Sequence, residues 1–265
     1  MQKEEQFLEK RLLELSKAAY NRDIITYSDF LNLNELNILH TIPKNQLYAD
    51  YVTFGGYDYA ERQLAAFLPD ALSLRTSIYS EENGNLKAIF DEKIAVLQIT
   101  PVNEKYAEDL THRDYLGVIL NLGVERKNIG DILLMGGQAV VFVKPHLSDL
   151  LCDELTRVRH TFVIVKRIPM QEFSYEPRYK EIKCTVASLR LDCFLGAAFS
   201  SSRSKLAGLI EAGKVFVNGK LITSNGYHLK DGDIISVRGM GKFKFVRQLS
   251  VTKKNRLSIE LNLYI

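Results

Sequence analysis

A chain of 265 residues, 46% hydrophobic and 25% charged, can bury a normal core and has room for two or three domains. No apolar run approaches the ~18 residues of a membrane helix, and the amphipathic opening MQKEEQFLEKRLLEL lacks the form of a secretory signal, so the expected location is the cytoplasm. The formal net charge is only +3, yet residues 182–265 carry +9, leaving 1–181 at −6.

Residues 1–75 read as a small, mostly helical domain. Phe7, Leu12, Leu13 and Leu15 line a first helix, Tyr27 to Phe30 opens onto a Leu-rich second segment, and Pro43 interrupts before Leu47 to Val52. Phe54-Gly55-Gly56-Tyr57 is a turn, and a helix is expected from Asp58 through Phe67, stopped by Pro69. Tyr51, Tyr57 and Tyr59 are either core and scaffold or surfaces for stacking.

Residues 76–170 alternate between strands and helices. Leu86 to Phe90 and Ile94 to Ile99 have the form of a hairpin around Asp91-Glu92. Helix follows over Asp114 to Leu122, strands over Ile132 to Leu134 and Ala139 to Val143 around Gly136-Gly137, helix over Leu147 to Val158, and a strand over Phe162 to Ile168. This order predicts an α+β sandwich near the βαββαβ layout of ferredoxin-like and RRM-like domains, with an extra strand in front. Ile132-Leu133-Leu134 lacks the aromatics of a standard base-stacking sheet.

No catalytic constellation emerges. His112-Arg113-Asp114 has the order of a kinase catalytic loop, but Ile119 stands where that loop needs Asn, and no Gly-rich loop accompanies it. Gly136-Gly137 is not followed by a helix and reads as a turn. Asp114, Glu125 and Asp131 read as caps and ion-pair members. Cys152, Cys184 and Cys193 are odd in number without a CxxC, and the five histidines are dispersed, so neither a disulfide, a metal nor another cofactor is expected.

Residues 171–181, QEFSYEPRYKE, are charged, contain Pro177 and lack periodicity, which reads as a linker. Beyond it, Leu191, Phe194, Leu195 and Ala198 repeat at helical spacing, with Ser188 as a candidate cap. Leu206, Leu209 and Ile210 restart the pattern after Ser202, a second candidate cap, and Gly213 ends it. Asn218-Gly219 between Val215-Phe216-Val217 and Leu221-Ile222 is the strongest short-range hairpin signal in the chain. Asp231-Gly232-Asp233 turns into Ile234 to Val237, and Phe243 to Val246 and Leu257 to Tyr264 extend the sheet. Arg203 and Lys205 fall in the first turn of the second helix, where backbone N–H groups already favour an anion.

Arg190-Leu191-Asp192, Leu195, Ser202-Arg203, Leu209-Ile210, Gly213, Val215, Val217-Asn218-Gly219 and Gly232-Asp233 with Ile235 and Val237 resemble the αL RNA-binding module first described in ribosomal protein S-four. The resemblance implies an RNA-binding domain over 182–265, including a β extension, that meets structured RNA. The cations for that role are Arg190, Arg203, Lys205, Lys214, Lys220, Arg238 and Lys242. Over the full length, Phe54-Gly55-Gly56, Ala60-Glu61-Arg62, Thr111 to Gly117, Leu122-Gly123, Arg126 and Ile129 to Ile132 resemble the bacterial YlmH-like proteins. That resemblance implies a non-enzymatic RNA binder, associated with ribosomal RNA or tRNA on ribosomes carrying stalled peptidyl-tRNA, and linked to cell division; a monomer is expected. Two alternatives stay open: an RNA-modifying enzyme of the pseudouridine-synthase kind, and a protein-interaction adaptor of the division machinery.

Overall fold

The computed structural model describes residues 3–69, 88–199 and 201–264, with the side chains of Arg203 and Ser204 outside the description. It contains two compact units, Met1–Tyr175 and Glu176–Ile265.

The first unit begins with α1 (Lys3–Arg22), which buries Leu12, Ser16 and Ala19 along one stripe. Then come β1 (Thr26–Tyr27) and α2 (Leu33–Thr41). Asn32 starts α2 through a capping box: its Oδ1 accepts from the Asn34 and Glu35 amides, and Glu35 Oε2 accepts from the Asn32 amide. β2 (Asp50–Phe54) and β3 (Leu64–Leu68) complete an antiparallel sheet of order β1-β3-β2.

The helix expected over Asp58 to Phe67 is therefore corrected, and the described part of the 1–75 segment, residues 3–69, is α1 and α2 on a sheet rather than mostly helical. All five residues of β3 are buried. Leu64, Ala66 and Leu68 enter one core, while Ala65 and Phe67 enter another with Leu12, Leu36 and Leu39. A strand buried on both faces has no alternation to distinguish it from a helix.

The next elements are β4 (Ala95–Pro101), α3 (His112–Asn121), β5 (Ile129–Met135), β6 (Gln138–Val143), α4 (Ser148–Glu154), β7 (Arg157–Val158) and β8 (Thr161–Ile168). The sheet order is β5-β6-β4-β8-β7, antiparallel throughout, so the βαββαβ expectation is met. The strand expected in front is corrected in its described part. Ala88–Phe90 is helix end and turn, and Leu86 and Lys87 lie outside the described residues. A short extra strand, β7, instead follows α4, which ends at Glu154 rather than Val158.

Ala95, Leu97, Ile99, Ala139, Val141 and Val143 pack under α3 and α4 with Tyr115, Ile119 and Leu151. On the other face, Val96, Val140 and Phe142 share a core with Phe30, Phe54, Leu64 and Leu68. Residues from 1–75 and 76–170 thus close one core together, and the layers run α, β, β, α.

The second unit comprises β9 (Tyr179–Val186), α5 (Leu191–Phe199), α6 (Arg203–Glu211), β10 (Val215–Val217), β11 (Lys220–Leu221), β12 (Ile234–Val237), β13 (Gly241–Val251) and β14 (Leu257–Tyr264). β9 begins inside the stretch read as a linker, because its residues pair with all of β14. The sheet order is β11-β10-β12-β13-β14-β9. Both helices cover one face, where Phe194, Leu195, Leu206 and Ile210 meet Val215, Val217, Ile235, Phe243, Phe245 and Ile259.

Candidate nucleic-acid interface

The sequence motifs of the two units resolve into different chemistry. In the first unit the Gly- and acid-bearing signature is a structural clasp. Asp131 Oδ2 accepts from Tyr57 Oη at 2.9 Å and the Glu61 amide at 2.7 Å, and Oδ1 accepts from the Arg62 amide at 3.1 Å. Arg62 donates to the carbonyls of Ile129, Phe30 and Arg126, and Arg126 donates to those of Ile129 and Gly130. Burial, then the nearby Arg62, lowers the Arg126 guanidinium to about 10. Burial also pushes the Tyr57 hydroxyl well above its ordinary value, with the Asp131 charge adding to it.

Backbone approach explains the glycines. A Cβ on Gly56, at φ +102°, would lie 2.3 Å from the Phe142 ring, and one on Gly130 would lie 2.8 Å from that of Phe30. Tyr57 stacks on Phe142 with centroids 5.2 Å apart, so it is scaffold, and Tyr51 hydrogen-bonds His40 Nδ1 at 2.9 Å.

The remaining signature acids are also structural. Asp114 Oδ2 accepts from the Thr111 amide and hydroxyl at 2.8 and 2.6 Å, and Oδ1 pairs with Arg159 Nε at 2.6 Å. The Thr111 bonds, ahead of the Arg159 charge, hold the Asp114 carboxyl below its usual range. Glu125 pairs with Lys127. Burial, then Arg126, lowers His112. Among the described residues no group of His, Cys, Asp and Glu is arranged to hold a metal, and no helix is long and apolar enough to cross a membrane.

In the second unit, local rules build a rigid frame under the cations. α5 begins at Leu191, whose amide donates to the Tyr227 carbonyl at 2.8 Å. Ser188 is not its cap, since its Oγ lies 3.9 Å from Cys193 Sγ. Ser202 holds the N-cap position of α6 with extended backbone. Gly213, at φ +67°, closes that helix: its amide donates to the Ile210 carbonyl and the Lys214 amide to that of Leu209, both at 3.0 Å.

Asn218 and Gly219 both take positive φ, as the two-residue turn requires. Asn218 Nδ2 donates to Asp233 Oδ1 at 2.8 Å, and its Oδ1 accepts from the Ile234 amide at 2.9 Å. Asp233 Oδ2 accepts from the Lys230 amide at 2.8 Å. The Asn-Gly and Gly-Asp signals are thus one latch fixing the hairpin to β12.

The acids of 182–265 are all engaged within the unit. Asp192 receives both Arg190 Nε and Nη2, Glu211 receives Asn225 Nδ2, Asp231 receives the Gln248 amide, Asp233 is in the latch, and Glu260 receives Arg247 Nε. Lys183 pairs with Glu181. Among the described residues, Lys205, Lys214, Lys220, Arg238 and Lys244 form no ion pair. These five cations lie around α6 and strands β10 to β13, whereas on the β14–β9 side Lys183 and Arg247 are paired with Glu181 and Glu260.

The expected site residues are not all brought together. Lys205 is exposed in the first turn of α6, Lys214 immediately follows the helix stop, and Lys220 is exposed on the edge strand. Arg238 and Lys242 belong to the sheet face opposite the helices: the Arg238 guanidinium lies 5.5 Å from the Phe216 centroid, and Phe216, Ser236 and Lys242 form one cross-strand row. Arg190 is exposed but occupied by Asp192. Arg203 opens α6, and its side chain lies outside the described residues. Lys244 is the residue that sequence reasoning missed: it stands beside Ile234, two residues from Lys242 on the same face. The strand alternation of Lys242 and Lys244 in GKFKF is the signal that points to it.

Comparison with known proteins finds one family match in each unit. Residues 90–172 match the family model described as "Putative RNA-binding domain in YlmH", and residues 189–235 match the S4 domain. The chain is 26% identical over 258 residues to "Ribosome-associated protein quality control protein P2" of Bacillus subtilis (strain 168), covering 96% of this chain and 93% of that protein. It is also similar to the solved "Cell division protein ylmH from Streptococcus pneumoniae", at 22% identity and a TM-score of 0.48, covering 65% of this chain and 95% of that one. The chain thus resembles the YlmH-like proteins along its length, with a match to the YlmH RNA-binding domain family at 90–172 and to the S4 domain at 189–235.

Proposed function

We propose that the protein is a non-enzymatic binder of structured RNA that works on the ribosome, contacting ribosomal RNA or tRNA through its second unit. The observation that carries this reading is the charge division inside that unit: its acids hold the fold together, while Lys205, Lys214, Lys220, Arg238 and Lys244 form no ion pair among the described residues. Cations left over from folding are what a polyphosphate binds. The S4 match supports the choice of RNA, and the ribosome-associated name of the Bacillus subtilis relative supports the ribosome as the place.

Complexes carrying stalled peptidyl-tRNA, a cytoplasmic monomer and a link to division form the fuller version of this proposal. The reading as an RNA-modifying enzyme centred on Asp192 draws no support from a carboxylate engaged by Arg190 at both oxygens.

The test is titration of the full chain with a ribosomal RNA stem-loop and with tRNA. Replacing Lys205, Lys214 and Lys220 together by Glu is expected to weaken binding at least about 100-fold, since three cations that meet phosphates become three anions that repel them. It should leave the melting temperature unchanged, because none of the three ammonium groups is an ion-pair partner within the described fold. Unchanged affinity in the triple variant would overturn the proposal.

A further inference from the structure

Among the described residues the five-stranded sheet of the first unit is covered over only part of its second face. Val96, Val140, Phe142 and, across from Val96, Ile168 lie in or against the core shared with Phe30 and Phe54. Further along the same face the register pairs Gln98 with Lys166 and Thr100 with Ile164, and the Val102 amide donates to the Phe162 carbonyl at 2.9 Å. Here the cover by described residues ends. Val102 is 60%, Phe162 63% and Ile164 47% exposed.

An aromatic exposed on a regular strand is not required by folding, since β8 buries Thr161, Val163 and Val165 on its other face. Its surroundings are cationic. The Arg157 guanidinium lies 5.7 Å from the Phe162 centroid, and Lys166 is exposed two residues beyond Ile164 on the same face. Among the described residues the strand positions at this end carry no carboxylate: β8 contributes Phe162, Ile164 and Lys166, β4 contributes Gln98 and Thr100, and β6 contributes Gln138, whose Oε1 accepts from Gln98 Nε2 at 2.6 Å, while Asp131 of β5 on the same face is held in the clasp by Tyr57 and the Glu61 and Arg62 amides.

We infer that this open end of the sheet binds unpaired nucleotides of an RNA strand, with a base stacked on Phe162 and the phosphates beside it met by Arg157 and Lys166. Phe162 to Lys166 spans roughly 13 Å along the strand, about two nucleotides. Three apolar side chains are far less than the ~1,200 Å² a stable protein partner buries, whereas one aromatic face between two cations suffices for a base and its backbone. The inference rests on the proposed RNA-binding function and on the RNA-binding description of the family matched at 90–172, and adds to them the face, the residues and the single-stranded form of the RNA.

The experiment compares the full-length parent, Phe162→Ala and Phe162→Tyr in titrations with a fluorescent single-stranded uridine decamer and, separately, with the ribosomal stem-loop. To keep the second unit from masking the effect, the decamer titrations are repeated in the Lys205→Glu, Lys214→Glu, Lys220→Glu background. The expected result is that Phe162→Ala weakens decamer binding about five- to a hundredfold in both backgrounds, that Phe162→Tyr restores most of it, and that stem-loop affinity and melting temperature stay unchanged.

Decamer affinity unmoved by Phe162→Ala would overturn the inference, as would an equal loss for stem-loop and decamer. Loss of binding to ribosomal proteins freed of RNA, with the decamer unaffected, would make this a protein-docking face and overturn it too. Failure of the lysine variants to reduce stem-loop binding would count against the proposed function alone, since the Phe162 result is read on the decamer.

Discussion

The two units spend their charged residues in opposite ways. In the first, Asp131, Arg62 and Arg126 face inward to backbone groups and tie the β2–β3 loop to β5, so charge is converted into rigidity. In the second, Asp192, Asp233 and Glu260 do the same work, but the cations outnumber them and the surplus stays at the surface. A strong sequence motif therefore marks a structural clasp in one unit and the frame of an interface in the other. Net charges of −6 over residues 1–181 and +9 over 182–265 express the same difference at low resolution.

The sharpest way to break this comparison is to remove the clasp. Asp131→Ala leaves Tyr57 Oη and the Glu61 and Arg62 amides without their acceptor. It should cost the first unit about 3 kcal/mol in denaturant unfolding, while stem-loop affinity below the transition stays at the parental value. A large loss of RNA affinity in a folded variant would mean that the clasp belongs to the binding surface.

The latch of the second unit offers the matching test. Asn218→Ala removes the bonds to Asp233 and Ile234 and places a residue poorly suited to φ +49° in the turn. A destabilisation of about 1–2 kcal/mol is expected, and RNA binding should weaken because Lys220 loses its fixed position. Equal affinity with a melted hairpin, read by NMR, would show that hairpin geometry does not matter to recognition.

A single surface cation separates the roles further. Lys205→Ala should weaken stem-loop binding by about 1 kcal/mol and reduce the slope of log K against log salt by about one, with no loss of stability. Instability without an affinity change would place Lys205 in the frame instead.

The smallest expected effect is on pH dependence. Burial pushes Asp192 upward, but the Arg190 bonds and the Cys193 amide outweigh it and hold the carboxyl below its usual value. A carboxylate depressed in the folded state contributes stability that is fully present above its unfolded value near ~4 and is lost as pH falls through the folded value. The melting temperature of the second unit should therefore be insensitive to this pair from about pH 5 to 8 and fall below about pH 4. Asp192→Asn should flatten part of that fall. An identical acid limb in the variant would remove Asp192 from the account.

Much of the second unit is legible in the sequence because its signals are local. Gly213 at a helix stop, Asn218-Gly219 in a two-residue turn, and the spacing of Phe194, Leu195 and Ala198 each have one economical physical reading. The βαββαβ core of the first unit is legible for the same reason. β3 is not, because burial of Leu64 through Leu68 on both faces erases the strand period. The partners of Asp131 are also hidden, since Tyr57, Glu61 and Arg62 lie far back along the chain and no local pattern announces a contact closed by packing. At the interface, charge counting finds the surplus, but only the register shows that Lys242 and Lys205 stand on opposite sides of one sheet.

The central claim, that the second unit's unspent cations bind RNA phosphates, is tested most directly by the salt dependence of stem-loop affinity for the full chain. With about 4–6 phosphate contacts, log K should fall against log salt with a slope of roughly −3 to −5, at about 0.7–0.9 per phosphate. The Lys205→Glu, Lys214→Glu, Lys220→Glu variant should show a slope shallower by about 2–3. A flat response in the parent, or the same slope in both proteins, would contradict the claim.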